Sequence, residues 1–411
     1  MVDVVATRAV VVRARTAATS WWWLPLAIFA FTRVVGALIL VLMSDQQDAR
    51  VGTSGMRVVD PAPADPGYVG MLTNWDGQWY ADVVRDGYPS RLPTDGDGTV
   101  VQNTWAFYPA YPALVRAVMA LSPLPFALAA SLVSMAAGAG AMVIVFRMLE
   151  SRVGRFNAGM TVLALSLSPA AVLFQAAYTE SLALLVVVAC LSLLVSRRYG
   201  ALAVMAVVLS LTRPIVLPLA LLIAVHGGLR WRHRAQEPFP AAERRRWLLA
   251  LVVSGASFGL WPLVCALRTG RADGFLVSQK AWIATYPGRG TWLLDILHDP
   301  AGRASLLALS ALAIGVVVVA RRRASAWGSD LRWWVPVYGL YLLATASPMA
   351  SSIRYAMLAV VPWWPSTEQG PALTRSRKVV VVCFAVAFGV VCQVGWVRFF
   401  YVLGPDRLMF P

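Results

Sequence analysis

Asn74-Trp75-Asp76-Gly77-Gln78-Trp79-Tyr80, continued by Asp86-Gly87-Tyr88-Pro89, is a polar and aromatic stretch in a chain that is otherwise largely apolar. It lies inside the longest hydrophilic interval, 44–104, directly after an apolar run at 21–43. A run of that length spans the hydrocarbon core of a bilayer, so the polar stretch reads as part of a loop held at a membrane surface.

Composition carries the reading to the whole chain. Of 411 residues, 59% are hydrophobic and 14% charged, well outside the range of a soluble domain. Backbone polar groups in lipid must be satisfied within the segment, which makes the apolar runs helices. The expected fold class is an all-α polytopic membrane protein with about eleven transmembrane helices. It reads as one integral membrane unit, 1–411. A cytoplasmic arm (1–20) leads into the first span (21–43) and the long first extracytoplasmic loop (44–104). The remaining transmembrane region (105–402) and a tail (403–411) follow. The three tryptophans at 21–23 suit an interfacial belt, and the first run is too long for a cleaved signal. Further spans are expected near 124–146, 157–175, 181–197, 199–211, 215–229, 247–267, 301–320 and 333–346. A short one then ends near 364, and a last run ends near 402. The segment 113–121 reads as an interfacial or re-entrant helix cut by Ser122-Pro123.

The net charge of +16 does not point to nucleic acid. The basic residues cluster in short loops: Arg147, Arg152 and Arg155; Arg197 and Arg198; Arg230, Arg232, Arg234 and Arg244 to Arg246; Arg321 to Arg323; Arg375, Arg377 and Lys378. That is the positive-inside pattern. The interval 44–104 holds four arginines against nine aspartates and is expected outside. Cys190, Cys265, Cys383 and Cys392 lie in apolar runs without metal or disulfide spacing and read as small buried hydrophobes. His226, His233 and His298 are scattered, so no histidine metal cluster is expected. Asp95-Gly96-Asp97-Gly98 reads as a glycine-rich turn rather than a metal motif.

The interval around Asp76 carries the chemistry. Gly77 to Arg85 reads as a short helix with Asp76 as its N-cap and Asp86-Gly87 as its stop. A carboxylate at that place can also serve as a general base. Asp82 and Asp86 are read as solvated. Glu180, in Tyr178-Thr179-Glu180-Ser181, is the lone acid between Arg155 and Arg197. A carboxylate there is either functional or an outer turn residue. Arg116, Arg213 and Arg354 fall near expected outer helix ends, against the positive-inside trend. They are phosphate-binding candidates, or they snorkel to the headgroups. Lys280 and Arg289, beside Trp282 and Tyr286, could meet an anionic lipid headgroup or stand in solvent. Arg33, inside the first span, is expected to pair internally.

The order WDGQWY…DGYP (75–89), FYPAYPALVR (107–116), YTES (178–181), LTRP (211–214) and SIRY (352–355) resembles the PIG-V family of GPI mannosyltransferases, with its bacterial, notably actinobacterial, relatives. The resemblance implies the GT-C architecture and a polyprenyl-phosphate mannose donor; the family's GPI acceptor is not carried over, and the acceptor is expected only to be a glycolipid or glycan. It also implies transfer on the extracytoplasmic face of a bacterial plasma membrane. It carries the catalytic acidic role to Asp76; Glu180 stands as the second acidic candidate on its position at membrane depth. The motif residues Trp75, Gln78, Tyr80, Tyr108, Tyr111, Tyr178 and Tyr355 become substrate-binding candidates. Neither a divalent metal nor an oligomeric state is specified. The competing reading is a transporter or flippase for envelope glycolipids. Transporters favour charges at the midplane of broken helices and internal repeats, and neither pattern stands out here.

Overall fold

The computed structural model describes residues 23–50, 61–284, 327–345, 351–360 and 373–404. Trp21 and Trp22, Tyr286, Arg289, the expected span at 301–320, Arg321 to Arg323 and the run ending near Trp364 lie outside these residues.

The described chain is helical, and its only β pairing is two isolated bridges, Arg50 with Ala62 and Thr94 with Val100. The main helices are α1 (Trp23–Ser44), α2 (Asp76–Asp86), α3 (Ala110–Leu121), α4 (Phe126–Ser166), α5 (Glu180–Val195), α6 (Tyr199–Ser210), α7 (Val216–Arg232), α8 (Ala241–Ser257), α9 (Leu260–Thr269), α10 (Gly274–Ala284), α11 (Ser329–Thr345), α12 (Ser351–Ala356) and α13 (Arg375–Trp396). Four helical stretches are long and apolar enough to cross a membrane: Trp23–Ser44, Phe126–Ser166, Ala241–Thr269 and Arg375–Tyr401. Three shorter apolar helices, α3, α5 and α6, accompany them. The chain is an integral membrane protein. Among the described residues, four stretches reach spanning length, short of the eleven expected.

Burial sorts these helices. On α5 eleven of the sixteen residues are buried and none is exposed, so this helix lies inside the bundle, packed against α4 and α6. On α13 the side chains of Val379, Val380, Phe384, Phe388 and Val391 are exposed, as are Val34, Leu38 and Leu42 on α1. Apolar faces turned outward on the longest helices belong in lipid. Cys383 lies on that outer face of α13, contrary to the expectation that all four thiols are buried; Cys190 and Cys265 are.

Three boundaries differ from those expected. The expected loop at 147–155 is helical, and only Gly154 (φ 77°) departs, where α4 turns. Its arginines find partners without uncoiling the chain: Arg155 pairs with Glu150, and Arg152 donates to the Trp327 carbonyl. The helical run expected at 157–175 ends at Ser166, and 167–179 is irregular apart from a 3₁₀ turn at Ala171–Phe174. Arg33 stabilises this break, donating to the carbonyls of Ser166 (2.8 Å) and Ala171 while lying between the rings of Phe29 and Phe174. The span expected at 247–267 is interrupted after Ser257, so α8 and α9 follow one another.

Far from Asp76, a buried polar chain ties four helices together. Asp330 meets His226 Nδ1 at 2.7 Å, and His226 Nε2 meets the Tyr199 hydroxyl at 2.9 Å. Tyr199 donates to Glu243 at 3.2 Å, and Glu243 pairs with Arg230 at 3.3 Å. Thus α6, α7, α8 and α11 are fixed to one another at the end of α7 opposite Arg213.

Close packing of α7 on α8 depends on one of two adjacent glycines. A Cβ at Gly227 would stand 2.1 Å from indole atoms of Trp247, whose Nε1 is held by the Ile223 carbonyl at 2.8 Å. Gly228 faces open space. Gly227→Ala should therefore destabilise the protein by about 1–3 kcal/mol through overpacking. Gly228→Ala should be neutral or stabilising by up to ~1 kcal/mol, from helix propensity. Thermal unfolding of the detergent-purified variants checks this; equal behaviour of the two would contradict the packing.

Candidate active site

The site begins with a strained residue. Trp75 has φ 55° and ψ −113°, a conformation that costs a bulky residue of order 1–3 kcal/mol unless its surroundings hold it. They do. The Trp75 indole donates to the Tyr401 carbonyl at 2.8 Å, and the Tyr401 hydroxyl donates to the Met71 carbonyl at 2.6 Å. Asn74, wholly buried, exchanges hydrogen bonds with Gln47 at 2.6 and 3.2 Å and also donates to Tyr401 O at 3.3 Å. Arg50 donates to the Thr73 carbonyl at 2.9 Å. Ala177 N donates to Leu72 O at 2.8 Å, which brings the segment before α5 alongside.

This arrangement changes the expected role of Asp76. The N-cap position is Trp75, without a side-chain cap, and Asp76 is the first residue of α2. Its backbone N–H donates to the Tyr178 hydroxyl at 3.3 Å, and its carboxylate is turned away from the helix toward Arg354. At the other end Gly87, with φ 78°, stops α2 as expected.

Four charged side chains converge, from four separate parts of the sequence. Arg354 Nη1 binds Asp76 Oδ2 at 2.6 Å, and its Nε lies 3.5 Å from Glu180 Oε1. Arg213 Nη2 binds the same Glu180 oxygen at 2.5 Å, while its Nε donates to the Thr179 hydroxyl at 2.9 Å. Aromatic rings close around the guanidiniums. Arg354 lies over Tyr178 and Tyr355, donating to the Tyr355 hydroxyl at 3.2 Å, and Arg213 lies 5.0 Å from the Tyr355 ring centroid. Glu180 is fully buried, whereas the Asp76 side chain keeps 23% of its surface exposed. Only Asp76 of the two acids is therefore open to a second substrate.

The guanidiniums are held in place by α11. Tyr338 donates to the Tyr355 carbonyl at 2.9 Å, and Trp334 to the Leu358 carbonyl at 3.0 Å, which fixes α12. Tyr341 donates to the Pro214 carbonyl at 3.2 Å, beside Arg213. Burial works against the charge of Arg354, yet Asp76, Tyr355 and Glu180 beside it hold the guanidinium well above its ordinary pKa. Burial likewise pushes the Tyr80 phenol well up, so it stays protonated, within 3.4 Å of Thr179 Oγ1.

The other candidate residues divide around this cluster. Tyr80 stacks edge-on against Tyr111 and Phe107, and Trp79 against Trp282, in an aromatic wall behind α2. Tyr111 is anchored to the Ala130 carbonyl at 2.9 Å, and Gln78 is buried. Tyr108 lies in a separate aromatic group with Trp105, Trp261 and Cys265. Arg116 is not among the gathered cations: its guanidinium donates to the carbonyls of Val84 and Arg85 and so caps the last turn of α2. Lys280 is exposed on α10, with Asp273 as a charged neighbour. Asp82 and Asp86 are bridged by Arg85, and Asp95 closes its turn by accepting from the N–H groups of Asp97 and Thr99. Among the described residues, no three His, Cys, Asp or Glu side chains converge as a metal site.

Asn74, Gln47, Arg50 and Tyr401, which set the backbone before Asp76, were not singled out from sequence. The signal available for Asn74 was its place as the first letter of the polar stretch; Tyr401, in an apolar tail segment, offered none.

No family model and no curated protein matches the chain. Solved structures similar to it include the oligosaccharyltransferase of Archaeoglobus fulgidus with zinc and sulfate, at 11% identity over 92% of this chain and 54% of that one (TM-score 0.48). The archaeal oligosaccharyltransferase from the same organism with an inhibitory peptide and a dolichol-phosphate gives 11% identity over 94% and 57% (TM-score 0.49). The form tethered to an acceptor peptide gives 13% over 94% and 56% (TM-score 0.49). The chain spans little more than half the length of these chains. The case for an activity therefore rests on the side chains around Asp76.

Proposed function

We propose that the protein is a membrane glycosyltransferase of GT-C type. It moves a sugar, mannose on the motif resemblance to PIG-V enzymes, from a polyprenyl-phosphate donor to a lipid-linked or cell-envelope acceptor. The transfer takes place at the extracytoplasmic face. The observation that carries this reading is the partly exposed Asp76 carboxylate bound by the buried Arg354, with the largely buried Arg213 beside it and the Tyr355 ring against both guanidiniums.

The chemistry follows from what such a transfer requires. The acceptor hydroxyl attacks the anomeric carbon as the bond from that carbon to the phosphate oxygen breaks. The hydroxyl proton passes to Asp76, the exposed acid. The bond's electron pair leaves with the phosphate, whose second negative charge develops beside Arg354 and Arg213. Arginine's planar fork suits a phosphate that gains charge during the reaction. The leaving group is already a stable anion, so no general acid is needed. Trp75, Gln78 and the tyrosines at 80, 111, 178 and 355 shape and support this pocket, while Arg116, Lys280 and Tyr108 stand outside the charged cluster.

Incubation of the purified protein with radiolabelled polyprenyl-phosphate mannose and total membrane glycolipids tests the reading. Transfer of label to a glycolipid is expected. In the same assay Asp76→Asn keeps a hydrogen-bonding group opposite Arg354 but removes the base, and should lower the rate on the order of 10² to 10⁴ while donor binding persists. A variant that transfers at close to the parental rate would remove Asp76 from this role.

Arg354→Ala removes a charge-assisted phosphate contact, typically about 1.5–3 kcal/mol. Donor affinity should fall roughly tenfold to a hundredfold, with acceptor affinity much less affected. Unchanged donor binding would assign the phosphate to Arg213 alone.

The face of action is testable in intact cells by single-cysteine labelling with an impermeant maleimide. Asp97→Cys should label and Gln236→Cys should be protected, because the intervals around them have opposite charge balance. The reverse pattern would invert the orientation.

A further inference from the structure

Glu180 opens α5 with a carboxylate whose two oxygens are used unequally. Oε1 is shared by Arg213 at 2.5 Å and Arg354 at 3.5 Å, while Oε2, fully buried, has no hydrogen-bond partner among the described residues. The titratable groups facing it come from several elements around the start of α5. They are Asp76 and Tyr80 on α2, Tyr111 on α3, Tyr178 just before α5, Arg213 before α7, Tyr338 on α11, and Arg354 with Tyr355 on α12. Among the described residues, two guanidiniums stand against two carboxylates in this cluster.

We propose that binding of the anionic lipid-phosphate donor is coupled to the uptake of one proton, and that Glu180 receives it. The proposal rests on the donor reading above. A sugar phosphodiester brings one further negative charge into a cluster that is already balanced. It also competes for the guanidinium hydrogens that satisfy Glu180, because Arg213 and Arg354 are the cations at hand. Three anions then share two cations in a place of low dielectric, where an uncompensated charge is costly. Asp76 keeps part of its side chain in contact with water. Glu180 has no such contact, and its unpartnered Oε2 is the atom on which a proton restores neutrality. Glu180 is therefore a positioning residue. It holds the two arginines together while the site is empty and yields them, protonated, to the phosphate. Transfer leaves the balance unchanged, since the phosphate gains a negative charge as Asp76 gains a proton.

The test is calorimetry of a short-chain polyprenyl-phosphate mannose binding to the full-length protein in lipid nanodiscs, in two buffers of different ionisation enthalpy. Wild-type protein should take up about one proton per donor, with affinity falling as pH rises by up to about tenfold per unit. Glu180→Gln imitates the protonated acid, so it should bind donor at least as tightly, take up no proton and show a flat pH profile. Asp76→Asn should keep the uptake. Donor binding without uptake in the wild type overturns the proposal and needs no variant to fold. Uptake lost in Asp76→Asn but kept in Glu180→Gln overturns it as well, by moving the proton to Asp76. Failure of the wild type to bind donor at all refutes the donor reading itself, and this inference with it.

Discussion

Charge balance in a dry place is the constraint on which the Asp76 end of this molecule depends. A buried carboxylate such as Glu180 is tolerable only if cations reach it, and removing one partner of such a pair typically costs about 3–5 kcal/mol. The cations come from the turn before α7 and from α12, so both must be brought to the start of α5. The hydroxyl and indole contacts of α11 with α12 and Pro214 secure that placement. Asp76 then meets Arg354 at the open edge of the group. The described helices are thus arranged around a cluster of paired charges whose accessible acid is Asp76.

The same economy appears wherever a charge enters the apolar body. Arg33 is spent on carbonyls that the break after Ser166 leaves without helical partners. Arg116 is spent on the carbonyls that end α2. His226, flanked by Asp330 and Tyr199, joins α7 to α11 and α6. Arg33 and His226 are buried and satisfy polar groups inside the bundle, whereas Arg116 is exposed and meets the end of α2 from the surface. Position near an outer helix end therefore did not distinguish Arg116 from Arg213 and Arg354. What separates them is whether their partners are carbonyls or carboxylates, which depends on contacts distant in sequence.

Much of the site was legible because a membrane protein makes few polar residues without cause. Asp76, Glu180, Arg213 and Arg354 stand out against their apolar surroundings, and the structure brings all four together. Their pairing was not legible: Asp76 and Arg354 are 278 residues apart, and no local period links them. The role of Asp76 as N-cap failed for a physical reason, since Trp75 adopts a positive φ that only remote contacts sustain. Helix boundaries were clear at Gly87, where a left-handed residue is needed. They were obscure at 147–155, because arginines and glutamate suit a helix as well as a loop.

The hold of Tyr401 on Met71, Asn74 and Trp75 has a temporal consequence. A ribosome delivers the first loop long before Tyr401, which lies 326 residues beyond Trp75. The Tyr401 contacts that brace the Trp75 backbone therefore form late, after α13 has entered the bilayer and the turn that carries Tyr401 has docked. Until then Asp76 and Arg354 can both be present while the backbone that aims Asp76 lacks this brace.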